Sequence, residues 1–413
     1  MIEITEISIT VCVFKFEKRN SSEQSGREGS ETMAEPRNRY EFLKQLAEKK
    51  EAGKASFQDL FRYLETKARA KGIPVHGQFE LTPICNFNCR MCYVHLTKEQ
   101  MGEQKLLTVE QWKAIIRQAW EAGMIRASLT GGECLTYPGF KEIYLYLRSL
   151  GCEVCVLTNG FLINDEWISF FRENRPISIQ VTLYGASEEA YERVTGQRCF
   201  AQVAENLRKM KEADLPVRLA VTPSKYLGED VFETIRFAKS MDARVSVNSY
   251  LIDPREETGR SGQQDDLDLD FYVRILRFLE EDKGKEIREI PEDQLPPAGG
   301  PSHVCDRCGL RCGGGRSNFS ADWKGVIHPC NLLYPVEGYP LRTGFAEAWK
   351  QIHQAAESWP RVPECEGCAY ESLCSNCAAR MLRLAEPGKL PVALCEQTRY
   401  LVQRGVWRIP DCE

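Results

Sequence analysis

From Gly77 onward, short runs of apolar and β-branched residues alternate with longer stretches of helical periodicity. Runs of about four to eight such residues between turn-forming residues are typical of strands. Strands that alternate with helices predict a parallel sheet with right-handed crossovers, either a doubly wound sheet or a barrel, and periodicity alone does not choose between them. The predicted strands are Gln78–Thr82, Ile125–Thr130, Glu153–Thr158, Ser178–Leu183, Val217–Val221 and Arg244–Tyr250.

The stretch Thr108–Ala122 carries the clearest helical pattern in the chain. Thr108 and Gln111 have the spacing of a capping box, and the apolar residues that follow recur on one helical face. Similar patterns predict the other crossover helices at Gly139–Leu150, Asp165–Asn174, Ala201–Ala213 and Asp230–Met241.

Changes in composition divide the chain into five segments. Residues 17–38 are polar and poor in aromatic residues, which is typical of disorder, and Met33 is an alternative start. The predicted segments are a disordered or non-native tail (1–36), a helical lead-in with helices at Tyr40–Lys50 and Ser56–Lys71 (37–76), the α/β region (77–253), a linker with one helix at Phe271–Glu281 (254–304) and a cysteine-rich domain (305–413).

The composition narrows the class of protein. The 413 residues contain 18 cysteines but only 5 histidines, and 54 basic against 59 acidic residues give a net charge of −5. This charge argues against nucleic acid as a partner. The sequence lacks a run long enough for a membrane helix and lacks signal-peptide features, so we expect a cytoplasmic protein without a membrane partner. Cysteines in that compartment favour metal binding over disulfides.

Three cysteines follow the first predicted strand. Cys85, Cys89 and Cys92 have the spacing C-x3-C-x2-C, and a loop at the carboxyl end of a parallel strand faces the ligand-binding side of such folds. Three thiolates supply three of the four ligands of an iron–sulfur cube and leave one iron open. The alternative is a structural zinc site with His95 as the fourth ligand.

A second motif follows the second predicted strand. Two glycines at Gly131 and Gly132 allow backbone to approach a ligand closely, and Glu133 is suited to receiving an ammonium group. A Gly-Gly pair after a strand is usually only a turn, but its position one strand after the three-cysteine loop makes a functional role the better interpretation.

With these two motifs, residues Gly77–Asp253 resemble the radical SAM superfamily. The resemblance implies an α/β fold, a partial (β/α)6 TIM-like barrel, with a [4Fe–4S] cluster on Cys85, Cys89 and Cys92. S-adenosylmethionine would chelate the open iron, and Gly131, Gly132 and Glu133 would contact its amine. The cofactor would supply a 5′-deoxyadenosyl radical that abstracts hydrogen from a substrate.

The resemblance also implies further contacts with S-adenosylmethionine. Met91 occupies a position that is commonly aromatic in the family, and its thioether can still pack on adenine. Thr182 matches a position that contacts the ribose or the carboxylate. Arg193 resembles the basic residue that pairs with the carboxylate, the alternative being an ordinary exposed helix charge. Thr158-Asn159-Gly160 is either a turn or part of the wall of the S-adenosylmethionine site.

The C-terminal cysteines form a second field, spaced Cys305-x2-Cys308-x3-Cys312-x17-Cys330 and Cys365-x2-Cys368-x5-Cys374-x2-Cys377-x17-Cys395. Paired C-x2-C units are a strong metal signal. Zinc ribbons use such pairs, but they do not need nine ordered cysteines, and eight thiolates complete two four-cysteine clusters.

The order of these cysteines resembles the small iron–sulfur SPASM domain that follows the barrel in some radical SAM enzymes, with x2 in place of x3 before Cys377. The resemblance implies three [4Fe–4S] clusters in all. Auxiliary cluster I would use Cys312, Cys330, Cys377 and either Cys305 or Cys308, and auxiliary cluster II would use Cys365, Cys368, Cys374 and Cys395.

Most SPASM enzymes modify peptides or proteins, so the resemblance predicts a maturase that forms a thioether or another crosslink in a ribosomally made peptide. Sulfatase maturases have a catalytic Asp directly after the second SPASM cysteine. This chain has Asn331 there, and an amide is no base at neutral pH. The alternatives are a radical SAM enzyme acting on a small molecule and a non-catalytic metal scaffold.

The predicted partners are a peptide substrate and an external electron donor of the flavodoxin or ferredoxin type. About 76 residues precede the barrel, and many have a disordered composition, so we expect no complete leader-binding domain there. Leader recognition would then use a separate protein, the Tyr40–Lys71 helices or the barrel itself.

Overall fold

A computed structural model describes residues 57–248, 251, 253–255, 258, 268–281, 287–296, 309–374 and 377–408. The predicted tail, the predicted helix at Tyr40–Lys50, and Cys305 and Cys308 lie outside these residues. None of the described helices is long and apolar enough to span a membrane.

In the described part of the chain, one mixed sheet of eight strands organises the fold. Its order is β6-β5-β4-β3-β2-β1-β7-β8, and the pairs from β6 through β7 are all parallel. Because β1 to β6 follow one another in chain order, this sheet is a partial barrel rather than a doubly wound sheet. The strands are β1 (His76–Glu80), β2 (Arg126–Thr130), β3 (Glu153–Thr158), β4 (Ser178–Leu183), β5 (Val217–Val221), β6 (Arg244–Val247), β7 (Asn318–Ala321) and β8 (Ile327–His328).

Helices occupy the intervals between the strands. The capping box predicted at the start of α3 is present, with the side chains of Thr108 and Gln111 each accepting from the other's main-chain amide. The described helices are α1 (Phe57–Lys71), α2 (Lys98–Met101), α3 (Val109–Glu121), α4 (Phe140–Ser149), α5 (Asp165–Glu173), α6 (Glu188–Thr195), α7 (Phe200–Glu212), α8 (Asp230–Ser240), α9 (Leu269–Glu281), α10 (Pro340–Thr343), α11 (Phe345–Glu357), α12 (Ala378–Leu382) and α13 (Val392–Gln403).

The two faces of the sheet differ sharply in polarity. Alternate strand residues such as Phe79, Leu129 and Val181 belong to the main hydrophobic core that the crossover helices share. Since side chains alternate along a strand, the residues between them form the opposite face, which we call the inner face. The inner face carries mostly polar residues: His76, Gln78, Glu80, Arg126, Ser128, Thr130, Ser178, Gln180, Thr182, Arg218, Arg244, Ser246, Asn318 and Ser320.

Helix α1 packs at the amino ends of the strands. The guanidinium of Arg126, the first residue of β2, lies 3.3 Å from the ring centre of Phe61 and pairs with Glu153 at 2.6 Å. Asn318, the first residue of β7, donates to Glu65 at 3.1 Å. Helix α1, the described helix of the predicted lead-in, therefore lies at the amino end of the barrel and leaves the carboxyl ends of the strands for the cysteine loop.

The structure corrects several of the predicted elements. Strand β1 ends at Glu80 rather than Thr82, and the helix predicted from Phe271 begins at Leu269. The sheet also extends beyond the six predicted strands, because β7 pairs with β1 in parallel and β8 pairs with β7 in antiparallel orientation. β7 and β8 are four and two residues long, too short to show a period in the sequence.

Candidate active site

The three-cysteine loop leaves the carboxyl end of β1 and is held by main-chain hydrogen bonds to its own sulfur atoms. The amide of Phe87 donates to Cys85 Sγ at 3.3 Å, and the amide of His95 donates to Cys92 Sγ at 3.3 Å. Cys89 is buried, whereas Cys85 and Cys92 are half-buried. Amide donors aimed at sulfur stabilise thiolate ligands, and this arrangement suits an iron–sulfur loop.

The electrostatics of the loop follow from its burial. Burial raises the pKa of the Cys85 thiol to about 12, and the neighbouring Glu133 and Cys92 raise it further, against the amide of Phe87. The pKa of Tyr184 is also raised, first by burial and then by the charges of Cys89, Cys85 and Cys92, which places all three thiols near one side chain. Bound iron would keep such thiols deprotonated.

Gly131 and Gly132 bring the end of β2 against the backbone of the cysteine loop. A Cβ on Gly131 would lie 2.4 Å from the Thr82 carbonyl oxygen, and Gly131 has a φ of +153°. A Cβ on Gly132 would lie 2.5 Å from the Ile84 carbonyl oxygen. The amide of Gly132 donates to the carbonyl oxygen of Thr82 at 2.7 Å. The glycines thus allow a close backbone contact that also fixes where the loop starts.

The carboxylate of Glu133 is fully buried and accepts several hydrogen bonds. The hydroxyl of Thr158 lies 2.9 Å from both of its oxygens, and the amides of Asn159 and Leu135 donate at 2.7 Å and 3.1 Å. Burial raises the pKa of Glu133, and these donors oppose that shift. Glu133 therefore ties the ends of β2 and β3 together, and its contact with S-adenosylmethionine stays a prediction.

Asn159 is a site residue for which the sequence left two interpretations open, a turn or part of the wall around S-adenosylmethionine. Its side-chain amide donates to Asn86 Oδ1 at 2.8 Å and approaches Cys85 Sγ at 3.7 Å, while its Oδ1 accepts from Phe161 at 3.0 Å. These bonds link Glu133 to the cysteine loop through one buried side chain. The available signal was the position of Thr158-Asn159-Gly160 at the end of the third strand.

The other predicted cofactor contacts occupy three different environments. Met91 is buried in the main core, and Thr182 is half-buried on the inner face, two residues after Gln180. Arg193 lies on α6, where its guanidinium pairs with Asp230 and donates to the Tyr226 carbonyl at 2.9 Å. The structure therefore gives Arg193 the contacts of a surface helix charge, and its role toward S-adenosylmethionine remains a prediction.

The C-terminal cysteines gather into two groups that interleave along the chain. Burial raises the pKa of Cys330 to about 11, and the thiols of Cys312 and Cys377 are close enough to raise it further. Burial likewise raises the pKa of Cys365 to about 11, with further contributions from Cys395, Cys374 and Cys368. Cys305 and Cys308 are outside the described residues, and the assignment of these thiols to two auxiliary clusters stays a prediction.

The donor chemistry at the three groups fits iron–sulfur clusters. All of the gathered side chains are thiols, and cubes are normally ligated by Cys thiolates. Within the described residues, no three His, Cys, Asp or Glu side chains are spaced for one metal ion. A cube spreads its thiolates over several irons, so its ligands need not converge on one point.

Two buried contacts connect the cysteine loop to the C-terminal region. Asn331, which follows Cys330, donates to the Tyr93 hydroxyl at 2.7 Å, and Tyr93 follows Cys92. Arg255 forms a two-pronged ion pair with Glu80 at 2.6 and 2.8 Å and lies 3.7 Å from the ring centre of Tyr334. The cysteine loop and the segment that follows Cys330 therefore pack against each other.

Comparisons with known proteins agree with this geometry. The radical SAM superfamily profile matches residues 79–253. An AdoMet-dependent heme synthase of Methanosarcina barkeri is 27% identical over 323 residues, which are 73% of this chain and 90% of that protein. The subtilosin biosynthesis protein AlbA of Bacillus subtilis is 23% identical over 320 residues, 74% of this chain and 67% of AlbA.

Among solved structures, Streptococcus suis SuiB bound to S-adenosylmethionine is similar, with a TM-score of 0.60 and 16% identity over 86% of this chain and 88% of SuiB. At this identity the likeness concerns the fold, a partial barrel followed by a cysteine-rich region. With the profile match and the two motifs at the carboxyl ends of β1 and β2, residues 79–253 form a radical SAM domain, and a cysteine-rich C-terminal region follows it.

Proposed function

We propose that this enzyme is a peptide maturase that forms a thioether or another crosslink in a ribosomally made peptide. The observation that carries the proposal is the alignment with AlbA, a protein named for biosynthesis of the bacteriocin subtilosin. That alignment runs over 320 residues and so extends well beyond the radical SAM domain at 79–253. The similarity includes sequence outside the part that radical SAM enzymes share.

Different residues would hold the cluster and contact S-adenosylmethionine. Cys85, Cys89 and Cys92 would hold the cluster that binds S-adenosylmethionine, with Gly131, Gly132, Glu133, Met91, Thr182 and Arg193 as the proposed contacts. With both groups bound, the site supplies reductive cleavage of the sulfonium and abstraction of a substrate hydrogen. Asn159 and Glu133 hold the loop in place, and the polar inner face of the sheet would offer hydrogen-bonding groups to a substrate.

The two C-terminal thiol groups would hold the auxiliary clusters. Cys312, Cys330 and Cys377 would form one set with Cys305 or Cys308, and Cys365, Cys368, Cys374 and Cys395 would form the other. Such clusters would accept the electron left after bond formation or ligate a substrate thiol. Asn331 donates to Tyr93. Because an amide has no basic site at neutral pH, a sulfatase-maturase mechanism with a base at this position is disfavoured.

The proposal includes partners that lie outside this chain. Reduction of the clusters requires an electron donor, which we assign to the flavodoxin or ferredoxin type, in the cytoplasm. A peptide leader would be recognised by a separate protein, by the predicted Tyr40–Lys71 helices or by the barrel itself.

Anaerobic reconstitution followed by mass spectrometry tests the proposal. Incubation with candidate precursor peptides, S-adenosylmethionine and reductant should remove two hydrogens from the peptide for each crosslink and produce 5′-deoxyadenosine. Replacing Cys85, Cys89 and Cys92 with Ala should stop both reactions, whereas Cys152→Ala, a buried thiol in the barrel core, serves as the matched control. A peptide whose mass and chirality stay unchanged across the candidates, with normal cofactor cleavage, would count against peptide maturation.

One observation favours a second candidate, an enzyme acting on a porphyrin. The heme synthase of Methanosarcina barkeri aligns over 90% of its own length, a larger share than the 67% of AlbA. Incubation with a porphyrin precursor of haem separates the two functions, because conversion to haem appears in the absorbance spectrum. Haem formation without peptide modification would replace the first proposal with the second.

A further inference from the structure

Two arginines stand side by side on the inner face of the last two barrel strands. Arg218 of β5 is the register partner of Arg244 of β6. The residues that alternate with them, Leu219 and Val245, pack on the helix side with the main core, so both guanidinium groups belong to the inner face. Arg218 is half-buried and Arg244 is exposed.

The two arginines differ from the other charged residues of the inner face because, in the described part of the chain, they have no counter-ion. Arg126 pairs with Glu153, and Glu80 pairs with Arg255. Burial lowers the pKa of His76 to about 4, so its ring is neutral. Within the described residues, no carboxylate lies at ion-pair distance from Arg218 or Arg244. Like charges placed opposite each other on neighbouring strands are destabilising, so the pair costs stability unless an anion bridges it.

The surroundings of the pair suit a ligand that reaches into the barrel. Gln180 is the register partner of Arg218 on the other side, and it adds an amide to the same row. In the next row of the inner face, Thr182 is paired with Ala220, and Ala220 with Ser246. β6 is an edge strand of the described sheet, so Arg244 lies at the open edge of the sheet and Arg218 lies one strand further in.

We propose that Arg218 and Arg244 together bind a carboxylate group of the substrate. A guanidinium presents its donors in a planar fork that matches a carboxylate, and two adjacent forks can bind both of its oxygens. The inference rests on the proposed function only in that the substrate enters the barrel lumen. The shared chemistry is a carboxylate, carried by an acidic side chain of a peptide or by a porphyrin propionate.

Binding measurements with two matched pairs of probes test the proposal on the reconstituted full-length enzyme. One pair is a fluorescein-labelled peptide rich in Glu and the same peptide with Gln in place of Glu. The other pair is mesoporphyrin IX and its dimethyl ester. Arg218→Gln and Arg244→Gln remove one charge each. Arg208→Gln removes one charge from the outer helix α7, where Arg208 pairs with Glu205 and Glu212, and is the matched control.

We expect each inner-face variant to weaken binding of the acidic probe by about tenfold or more, as for loss of a charge-assisted hydrogen bond. Arg208→Gln should leave binding unchanged. Arg218→Lys should recover part of the affinity. The iron–sulfur absorbance and the circular dichroism of each variant establish that it is folded and loaded.

The outcomes separate this inference from the proposed function. Selective binding of the Glu peptide supports both. Selective binding of mesoporphyrin supports the arginine site and counts against the peptide maturase. Equal binding by wild type and both Arg→Gln variants, or equal affinity for the charged and neutral probes, would overturn the arginine site whatever the substrate is.

Discussion

The three-cysteine loop and the C-terminal cysteine region hold the same chemical group in two different ways. In the loop, three thiols lie within eight consecutive residues, and amides of the same loop donate to two of them. In the C-terminal region, the thiols that come together are spread from Cys312 to Cys395, and the two groups interleave. Local hydrogen bonding organises the first site, and tertiary packing organises the second.

Substitutions in the cysteine loop and in the C-terminal region should therefore have different effects. The loop is held by its own amides, by the ends of β2 and β3, and by α6, where the amides of Asn88 and Arg90 donate to the carbonyl oxygens of Thr195 and Val194. The C-terminal groups depend on α11 to α13 and on small satellite cores such as the one formed by Leu310, Leu333, Ala356 and Ala378. We therefore expect variants of the loop to act on cofactor chemistry, and variants of the C-terminal region to act on cluster content and stability.

The largest expected effect separates the two regions directly. Replacing Cys85, Cys89 and Cys92 with Ala should reduce reductive cleavage of S-adenosylmethionine to background, because the open iron would be lost. Cys365→Ala should lower the iron content while cleavage persists. Chromatography of 5′-deoxyadenosine and an iron assay on the same samples measure both. Cleavage by the triple variant would contradict the assignment of the loop.

A backbone contact beside the loop gives the next largest effect. Gly132→Ala places a methyl group 2.5 Å from the Ile84 carbonyl oxygen, so the loop must shift. We expect a loss of about 1–3 kcal/mol in the free energy of unfolding, together with reduced iron uptake at the loop. Gly102→Ala is the control for backbone strain without a clash, since Gly102 has a φ of +56° and nothing lies within 4 Å of its Cβ, and it should leave iron uptake at the loop unchanged. Chemical denaturation and iron content check the result, and equal behaviour of the two variants would refute it.

A smaller effect concerns the buried amide beside Cys85. Asn159→Ala removes the donor that lies 3.7 Å from Cys85 Sγ. Hydrogen bonds to sulfur raise the reduction potential of an iron–sulfur cluster, so the potential of the loop cluster should fall by on the order of tens of mV. Redox titration followed by electron paramagnetic resonance measures it. The auxiliary signals should not move, and a shift of all signals together would indicate a general structural change instead.

The smallest expected effect is a pH dependence at the amino end of the barrel. Burial lowers the pKa of His76 to about 4, below its ordinary value of 6.5. A lowered pKa in the folded state contributes stability that is present above pH 6.5 and is lost as the pH falls through 4. His76→Gln should flatten the stability curve over this range in thermal unfolding. An unchanged slope would place the acid sensitivity elsewhere.

Much of the barrel is predictable from the sequence, because its signals are local. The bounds of β3, β4 and β5 agree with the predicted strands, and the capping box at Thr108 and Gln111 marks the start of α3. Alternation along a strand and the spacing of cap residues depend on neighbours in the chain. The short helix α6, between Ser187 and Gly196, was not predicted, since eight residues give too little periodicity.

The candidate site is only partly predictable, because only some of its signals are local in the sequence. Spacing identifies Cys85, Cys89 and Cys92 together with the Gly131-Gly132-Glu133 motif. No spacing reveals that Glu133 accepts from Asn159, or that Asn159 reaches Cys85, because these contacts join residues far apart in the chain. The Arg218–Arg244 pair likewise depends on the register between β5 and β6.

By itself, the sequence determined the alternation of strands and helices, the spacing of the cysteine loop, and the radical SAM domain that this spacing indicates. Only the tertiary structure decided that β7 extends the sheet beside β1, that α1 covers the amino ends of the strands, and that the C-terminal thiols form interleaved groups. The physical reason is that the pattern along a chain shows which residues face the core, whereas strand register and packing determine which residues contact each other.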